Sequence, residues 1–215
     1  MIKIHSMTFN SFQVNTYFVW DEAGDCLVVD PAFHTADERE HFDAFISSHN
    51  LRITGQVNTH CHVDHILGVH HLKSVYGQPF RAHPGEVPVA ASAHRMGEIF
   101  GLKTEPLPII ESYIDDENRI AAGKYMLRAL HVPGHSPGSL AFYSPEGRFV
   151  ISGDALFAGS IGRTDLPGGD YEILIASIQS KLLVLPGDTA VYPGHGPSTS
   201  IGREARENPY FSMAE

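Results

Sequence analysis

Residues 59–68, THCHVDHILG, set His60, His62, Asp64 and His65 within six positions, directly after the strand-like run RITGQVN. Imidazole and carboxylate groups are costly to cluster in an interior unless something offsets their desolvation, and a bound metal ion is the commonest offset. Such a centre constrains the fold, because its remaining ligands must arrive from distant parts of the chain. Three other stretches have the same form: VPGHSPG with His135, ISGDALF with Asp154 and VYPGHGP with His195. In each, an apolar run ends in small residues beside one metal-capable group. Rigid strand ends are where functional side chains are aimed, so the chain must bring four strand ends to one place.

The elements between these stretches alternate. NTYFVWD and DCLVVDP read as adjacent strands with a turn around Gly24, because β-branched and aromatic side chains suit a pleated core. TADEREHFDAFISSHN reads as a helix and RITGQVNTH as a buried strand. Asp64 is expected to open the next helix, DHILGVHHLKSVYG, since a carboxylate suits a helix N-terminus and Gly77 suits its stop. YMLRALHVPG, LAFYSPEG and RFVISGDALF read as strands separated by Gly/Pro turns. DYEILIASIQSKLLVLPGD reads as an amphipathic helix with Tyr171, Leu174, Ile175, Ile178 and Leu182 on one stripe. TAVYPGHG is expected to be the last strand, followed by a short helix near IGREARENP. Two strand-rich halves flanked by helices predict the α/β class, as an αββα sandwich of four layers in a single domain over residues 1–215.

Alternation then divides the ligands. In an extended loop His60 and His62 point the same way, whereas Asp64 and His65 on the following turn face a second position. One ion would take His60, His62 and His135, the other Asp64, His65 and His195, with Asp154 bridging both. Room for a shared water follows, which is what a catalytic site requires and a closed structural site lacks. A single histidine at a strand end is ordinarily a hydrogen-bonded residue with no metal, and the weight comes from seven candidates at four strand ends. His70, His71, His83 and His94 lack that context and are read as surface or satisfied side chains. Cys61 should point away from its flanking ligands and serve packing. Asp30, in VVDPA, either braces the metal loop or shapes a turn, and both readings stay open. Arg163, in GRTD, either pairs with Asp165, the favoured reading, or binds an anionic substrate.

Lys and Arg number 15 against 25 Asp and Glu, a formal charge of −10, which supplies no basic surface for a nucleic-acid partner. No basic segment leads into an apolar one at the N-terminus, and nowhere do enough apolar residues run together to span a membrane. Cys26 and Cys61 make no disulfide framework. The expectation is a soluble, non-exported, cytoplasmic protein that partners neither nucleic acid nor membrane.

In order and type, THCHVDH, His135, Asp154 and His195 resemble the five-part signature of the metallo-β-lactamase superfamily, over nearly the whole chain. Within it, ISGDALFAGSIGRTDLPGGD and VYPGHGPSTSIGREARENPYF resemble the glyoxalase II branch in its short single-domain bacterial form. The loop GRTDLPGGD also resembles the persulfide dioxygenases of that branch. The resemblance implies the αββα fold and a dinuclear site, with zinc expected and iron or manganese as alternatives. Departures exclude several cousins. The secreted β-lactamases generally carry cysteine where Asp154 stands, and flavodiiron proteins carry Glu where His62 stands. The helical C-terminal domain that holds glutathione in two-domain glyoxalase II is not expected here.

Two cations sharing a water bring its ionisation towards neutral pH, so a bridging hydroxide is available without a protein base. Asp64, as ligand and hydrogen-bond acceptor, is the expected catalytic residue that orients it. A small-molecule thioester, such as an acylated thiol, is the expected substrate, since its thiolate leaves without strong protonation. Two other classes stand beside this metal-dependent hydrolase: a mononuclear iron persulfide dioxygenase, using two histidines and Asp154, and a non-catalytic metal-binding scaffold with a closed coordination shell.

Overall fold

The structure, a computed structural model, describes residues 1–102 and 109–212. Strands β1 (Lys3–Phe9), β2 (Val14–Trp20) and β3 (Asp25–Val29) form an antiparallel meander, and helix α1 (Ala36–Ser48) crosses over to β4 (Arg52–Val57), which pairs with β3 in parallel. Thr35 and Glu38 close a reciprocal capping box at the start of α1, satisfying two otherwise unpaired backbone donors. After a tight turn at Val63–His65 come α2 (Val69–Tyr76), β5 (Arg81–Ala82), α3 (Val87–Ile99) and β6 (Ser112–Tyr113), with β5 and β6 paired in parallel.

The second half supplies β7 (Arg119–Ala122), β8 (Tyr125–His131), β9 (Leu140–Ser144), β10 (Phe149–Gly153), the short hairpin β11 (Leu156–Phe157) and β12 (Ser160–Ile161), α4 (Tyr171–Ser177), β13 (Ala190–Pro193), β14 (Thr199–Ser200) and α5 (Ile201–Glu207). Its six strands lie in the order β14-β13-β10-β9-β8-β7, against β1-β2-β3-β4 in the first sheet. Strands β10 and β13 are parallel, joined through α4, as β3 and β4 are joined through α1.

Alternate residues of each strand serve two cores. Tyr17, Val19, Leu27 and Val29 meet Ile120, Leu127, Phe142 and Ile151 between the sheets. The opposite side of the first sheet, with Phe18, Cys26 and Val28, packs under α1 and α2 through Phe42, Ile46 and Leu72. The opposite side of the second, with Ala141, Val150 and Val191, packs under α4, the wider helical turn Ile178–Leu182 that continues it, and α5, through Leu174, Ile178, Leu182 and Ile201. These are the four layers α, β, β, α. Both faces of both sheets are buried, which is why the central strands read as continuous apolar runs.

Three expectations need correction. The helix placed from Asp64 begins at Val69, and Asp64 and His65 sit in a single tight turn closed by the His65 N–H to the His62 carbonyl at 3.0 Å. Gly68 donates its N–H to the Pro31 carbonyl at 2.8 Å, and a Cβ there would stand 2.7 Å from the Phe33 ring, so the chain is pinned to β3's exit before the helix starts. Gly77 ends that helix in the left-handed conformation, as expected. In α4, Tyr171 leaves the buried stripe and is 51% exposed, being the first residue after the Asp170 cap. The last strand is β14 rather than TAVYPGHG. Strand β1 and helix α3 carry weak local signals: β1 is an edge strand with mostly exposed side chains, and α3 is built on Pro88, Gly97 and several alanines.

Candidate metal centre

Strands β4, β8, β10 and β13 end at one edge of the sandwich. In the second sheet, β8 and β10 are each antiparallel to β9, and β13 is parallel to β10, so these three run the same way. The loop after β4 supplies His60, His62, Asp64 and His65; the loops after β8, β10 and β13 supply His135, Asp154 and His195. All seven residues proposed from the sequence meet at this edge. The two sheets are tied beneath them: the Asn15 N–H donates to the Gly194 carbonyl at 2.8 Å, and the Tyr17 hydroxyl to the Pro193 carbonyl at 2.6 Å.

The donor atoms fall into two sets, His60–His62–His135 and Asp64–His65–His195, each within 4.8 Å of one another. Hydrogen bonds on the far side of each ring decide which nitrogen lone pair faces inward. His135 Nδ1 donates to the Arg163 carbonyl at 2.8 Å, and His195 Nδ1 to the Phe12 carbonyl at 2.9 Å. His65 Nδ1 donates to Asp30 Oδ2 at 3.1 Å. The Thr59 hydroxyl spends its proton on Asp30 Oδ2 at 2.6 Å, so it accepts from His60 Nδ1 at 3.1 Å. With the rings neutral, as coordination requires, four Nε2 lone pairs would converge, and His62 Nδ1 faces His135 Nε2 at 2.9 Å. His135 and His60 Nε2 are 3.3 Å apart, and so are His65 and His195 Nε2. Facing lone pairs at such distances repel unless a cation lies among them.

Asp154 stands between the sets. Its Oδ2 is 3.3 Å from His195 Nε2 and 3.7 Å from His135 Nε2, while its Oδ1 is 3.5 Å from His65 Nε2. That Oδ1 is buried with no hydrogen-bond partner among the described residues. Gly194 leaves room for it, since a Cβ there would lie within 2.0 Å of the same oxygen. Burial opposes the charge on Asp154, yet His65, His195 and His135 hold its carboxyl well below the usual range. In the first set, burial and then neighbouring rings push His60 well down and His62 to about 3, keeping both neutral and able to coordinate. In the second set, burial pushes His65 down, but Asp154, Asp64 and Asp30 carry it up to about 10. That carboxylate-rich half attracts positive charge. Neutral inward lone pairs in one half, excess carboxylate in the other and an unpaired oxygen between them fit two divalent cations.

Asp30, Glu86 and Asn10 hold the ligand loops. Asp30 takes the bracing role: both oxygens are filled by the Thr59 N–H, the Thr59 hydroxyl and His65, so the Asp30–His60–His65 grouping is a support and not a third donor set. Glu86, fully buried, was not singled out from the sequence. Its Oε2 accepts from the Cys61 N–H at 2.7 Å, between His60 and His62, and its Oε1 from the Gly138 N–H at 2.7 Å and the Ser136 hydroxyl, beside His135. Burial pushes the Glu86 carboxyl up, and these donors pull it back. Asn10 donates to the Asp64 and Ala32 carbonyls at 3.0 and 2.9 Å, while its own N–H is held by Glu38. The only local cue to Glu86 is an acid between HPG and a run of small residues. Cys61 packs with Val63, Ile66 and Phe80, as expected.

A cavity of about 210 Å³ opens over the donor atoms, bounded by Phe12, Val63, Met96, Phe100 and Leu166 besides Arg163 and the candidate residues His62, Asp64, His135, Asp154 and His195. The Arg163 guanidinium is engaged by Asp165 in two parallel bonds of 2.7 Å. His71 pairs with Asp43, and His83 stacks on His131 with ring centroids 4.1 Å apart, both away from the donor sets.

The sequence matches the metallo-β-lactamase superfamily across residues 10–195. It is 32% identical over 213 residues to the hydroxyacylglutathione hydrolase GloC of Haemophilus influenzae, covering 98% of this chain and 99% of that one. Among solved structures, the di-iron-bound form of TTHA1623 is 39% identical with a TM-score of 0.87, covering 96% of this chain and 99% of that chain. The B3 metallo-β-lactamase BLEG-1 is 30% identical with a TM-score of 0.88, covering 97% and 99%.

Proposed function

The chain belongs to the metallo-β-lactamase superfamily, and on that premise we propose that it is a thioesterase of the glyoxalase II type, dependent on two metal ions. The observation that carries this reading is the pair of donor sets flanking Asp154 at the floor of an open cavity. A closed scaffold site has no such opening. His60, His62 and His135 would hold one ion, Asp64, His65 and His195 the other, and Asp154 both. Zinc is the proposed metal, with iron as the alternative that the di-iron neighbour favours. Two such cations acidify a shared water and polarise a carbonyl.

The chain's own residues do the rest. Asp64 borders the cavity and offers a carboxylate to orient the attacking water. Phe12, Met96, Phe100 and Leu166 give the cavity an apolar wall. Nothing in the cavity wall is needed as a strong acid, because a thiolate leaves unprotonated. No described helix is long and apolar enough to cross a membrane, and Cys26 and Cys61 are free and buried, which supports a place in the cytoplasm.

The test is elemental analysis of protein purified without added metal, followed by hydrolysis of lactoyl-glutathione and of simple acyl thioesters. Two metals per chain and thioester cleavage are expected. One iron per chain with oxygen uptake on a glutathione persulfide would replace this reading with the dioxygenase. Cleavage of a cephalosporin in place of thioesters would align the chain with BLEG-1.

A further inference from the structure

The cavity over the donor atoms has a neighbour. Past His62, Met96 and Leu166, which line both spaces, lies a second cavity of about 290 Å³ between α3 and the loop at residues 166–168. Ligand sites for small molecules ordinarily occupy about 300–1,000 Å³, a range the two spaces reach together and the first alone does not. The walls of the second are apolar: Pro88 and Val89 from α3, Pro137, and Pro167. Besides His62, its polar side chains are Ser92 and Arg95. The Ser92 hydroxyl is spent inside the helix, donating to the Val89 carbonyl at 2.8 Å. Arg95 is exposed and, among the described residues, makes no hydrogen bond or ion pair.

Among the described residues, that sets Arg95 apart. Acidic residues outnumber basic ones by 25 to 15, and Arg52, Arg128, Arg148, Arg163 and Arg203 each pair with a carboxylate. Arg95 instead faces a groove whose lining, among the described residues, holds no acid. Pro88, Ser92, Arg95 and Met96 recur at helical spacing, so one stripe of α3 presents both the apolar wall and the guanidinium. A guanidinium on a groove adjoining the reaction site suits an anionic ligand group, by charge and by its fork of donors.

We propose that this groove is the subsite for the thiol half of the substrate: an elongated thiol whose apolar stretch lies on Pro88, Val89 and Pro167 and whose carboxylate or phosphate pairs with Arg95. The assignment rests on the thioesterase reading and adds the carrier's chemistry to it. Arg163 is held by Asp165, so among the described residues lining the two spaces Arg95 is the guanidinium open to that anion.

Two matched pairs of thioesters test it on the metal-loaded protein: S-acetyl-glutathione against its dimethyl ester, and S-acetyl-4′-phosphopantetheine against S-acetyl-pantetheine. One charge-assisted contact predicts that the charged member of at least one pair is favoured about tenfold in kcat/KM, and the pair that responds identifies the anion. Arg95→Ala should bring that ratio towards one, chiefly through KM, and Arg95→Lys should restore part of it. Arg119→Ala, on the distant β7 edge, should keep the wild-type ratio. Calorimetric binding of S-methyl-glutathione and S-methyl-phosphopantetheine, weakened by Arg95→Ala, reads the same contact without turnover. Thioesters cleaved with no charge preference, or with one that Arg95→Ala leaves intact, overturn the subsite. No cleavage of any thioester overturns the parent reading, and the calorimetry then decides the groove alone.

Discussion

Replacing Glu86 by Ala removes a carboxylate that touches no proposed ligand yet joins two ligand loops. The structure sets the size of the effect. The variant leaves the Cys61 and Gly138 N–H groups, both bonded to Glu86 at 2.7 Å, buried without an acceptor. Each such donor costs about 1–3 kcal/mol, while the Ser136 hydroxyl can rotate to another partner. Against this stands the recovered desolvation of a buried carboxyl, which burial already pushes up. A net loss of about 2–4 kcal/mol follows, or roughly 5–15 °C in melting temperature for a domain of this size. Ser136→Ala removes one donor and leaves the carboxylate two, so about 1 kcal/mol is expected. Glu86→Gln keeps the shape but turns an amide NH₂ towards an N–H donor, placing it between the two. Because His60, His62 and His135 lie on the freed loops, affinity at the first ion should fall about 10- to 100-fold, as for other groups that orient ligands. Urea unfolding of metal-free protein gives the first quantity and chelator competition the second. A Glu86→Ala protein that loses less than about 1 kcal/mol and binds its first metal as tightly as wild type refutes the reasoning.

Asp154→Ala should lower bound metal to one ion or none and cost most of the hydrolytic rate, since among the described residues no other carboxylate stands between the two donor sets; two retained metals on a folded protein, by elemental analysis and circular dichroism, would show the assignment wrong. Glu38 gives a pH signature. Burial works against its charge, but N–H bonds from Thr35, His34 and Asn10 hold the folded carboxyl below its ordinary value. Its contribution is therefore complete above an unfolded pKa of about 4.3 and lost as pH falls through the lower folded value. Urea midpoints measured between about pH 6 and pH 3.5 should show wild type losing its advantage over Glu38→Gln in that window, and a constant difference would count against the capping role.

Much of this protein was legible as sequence because its information is local. The meander of β2 and β3, helix α1 with its Thr35 cap, and the strands β8, β9 and β10 each carry period, composition and punctuation in one short window. The seven proposed ligands were legible for a related reason: one His or Asp at a strand end says little, but seven of them beside glycine or proline at four strand ends form a pattern visible in the sequence. Alternation along THCHVDH also sorted His60 and His62 from Asp64 and His65, and the structure groups their donor atoms in that way. The same local rules misplaced the start of α2, because Gly68 is bound by Pro31 and crowded by Phe33, neither of which a helix pattern registers.

What the tertiary structure alone decided is how the ligands are held and what lies beside them. Which nitrogen each histidine turns inward depends on carbonyls of Arg163 and Phe12 and on Asp30, all distant in sequence from the ring they fix. Glu86 looks like an ordinary acid near a helix start until the fold buries it between Cys61 and Gly138. Arg95 looks like a surface cation until α3 lays it along a groove shared with the metal cavity. The physical reason is common to all three. A ligand's identity is chemical and travels with its residue, whereas a hydrogen-bond partner, a burial and a cavity wall are relations between segments that exist only once the chain has closed on itself.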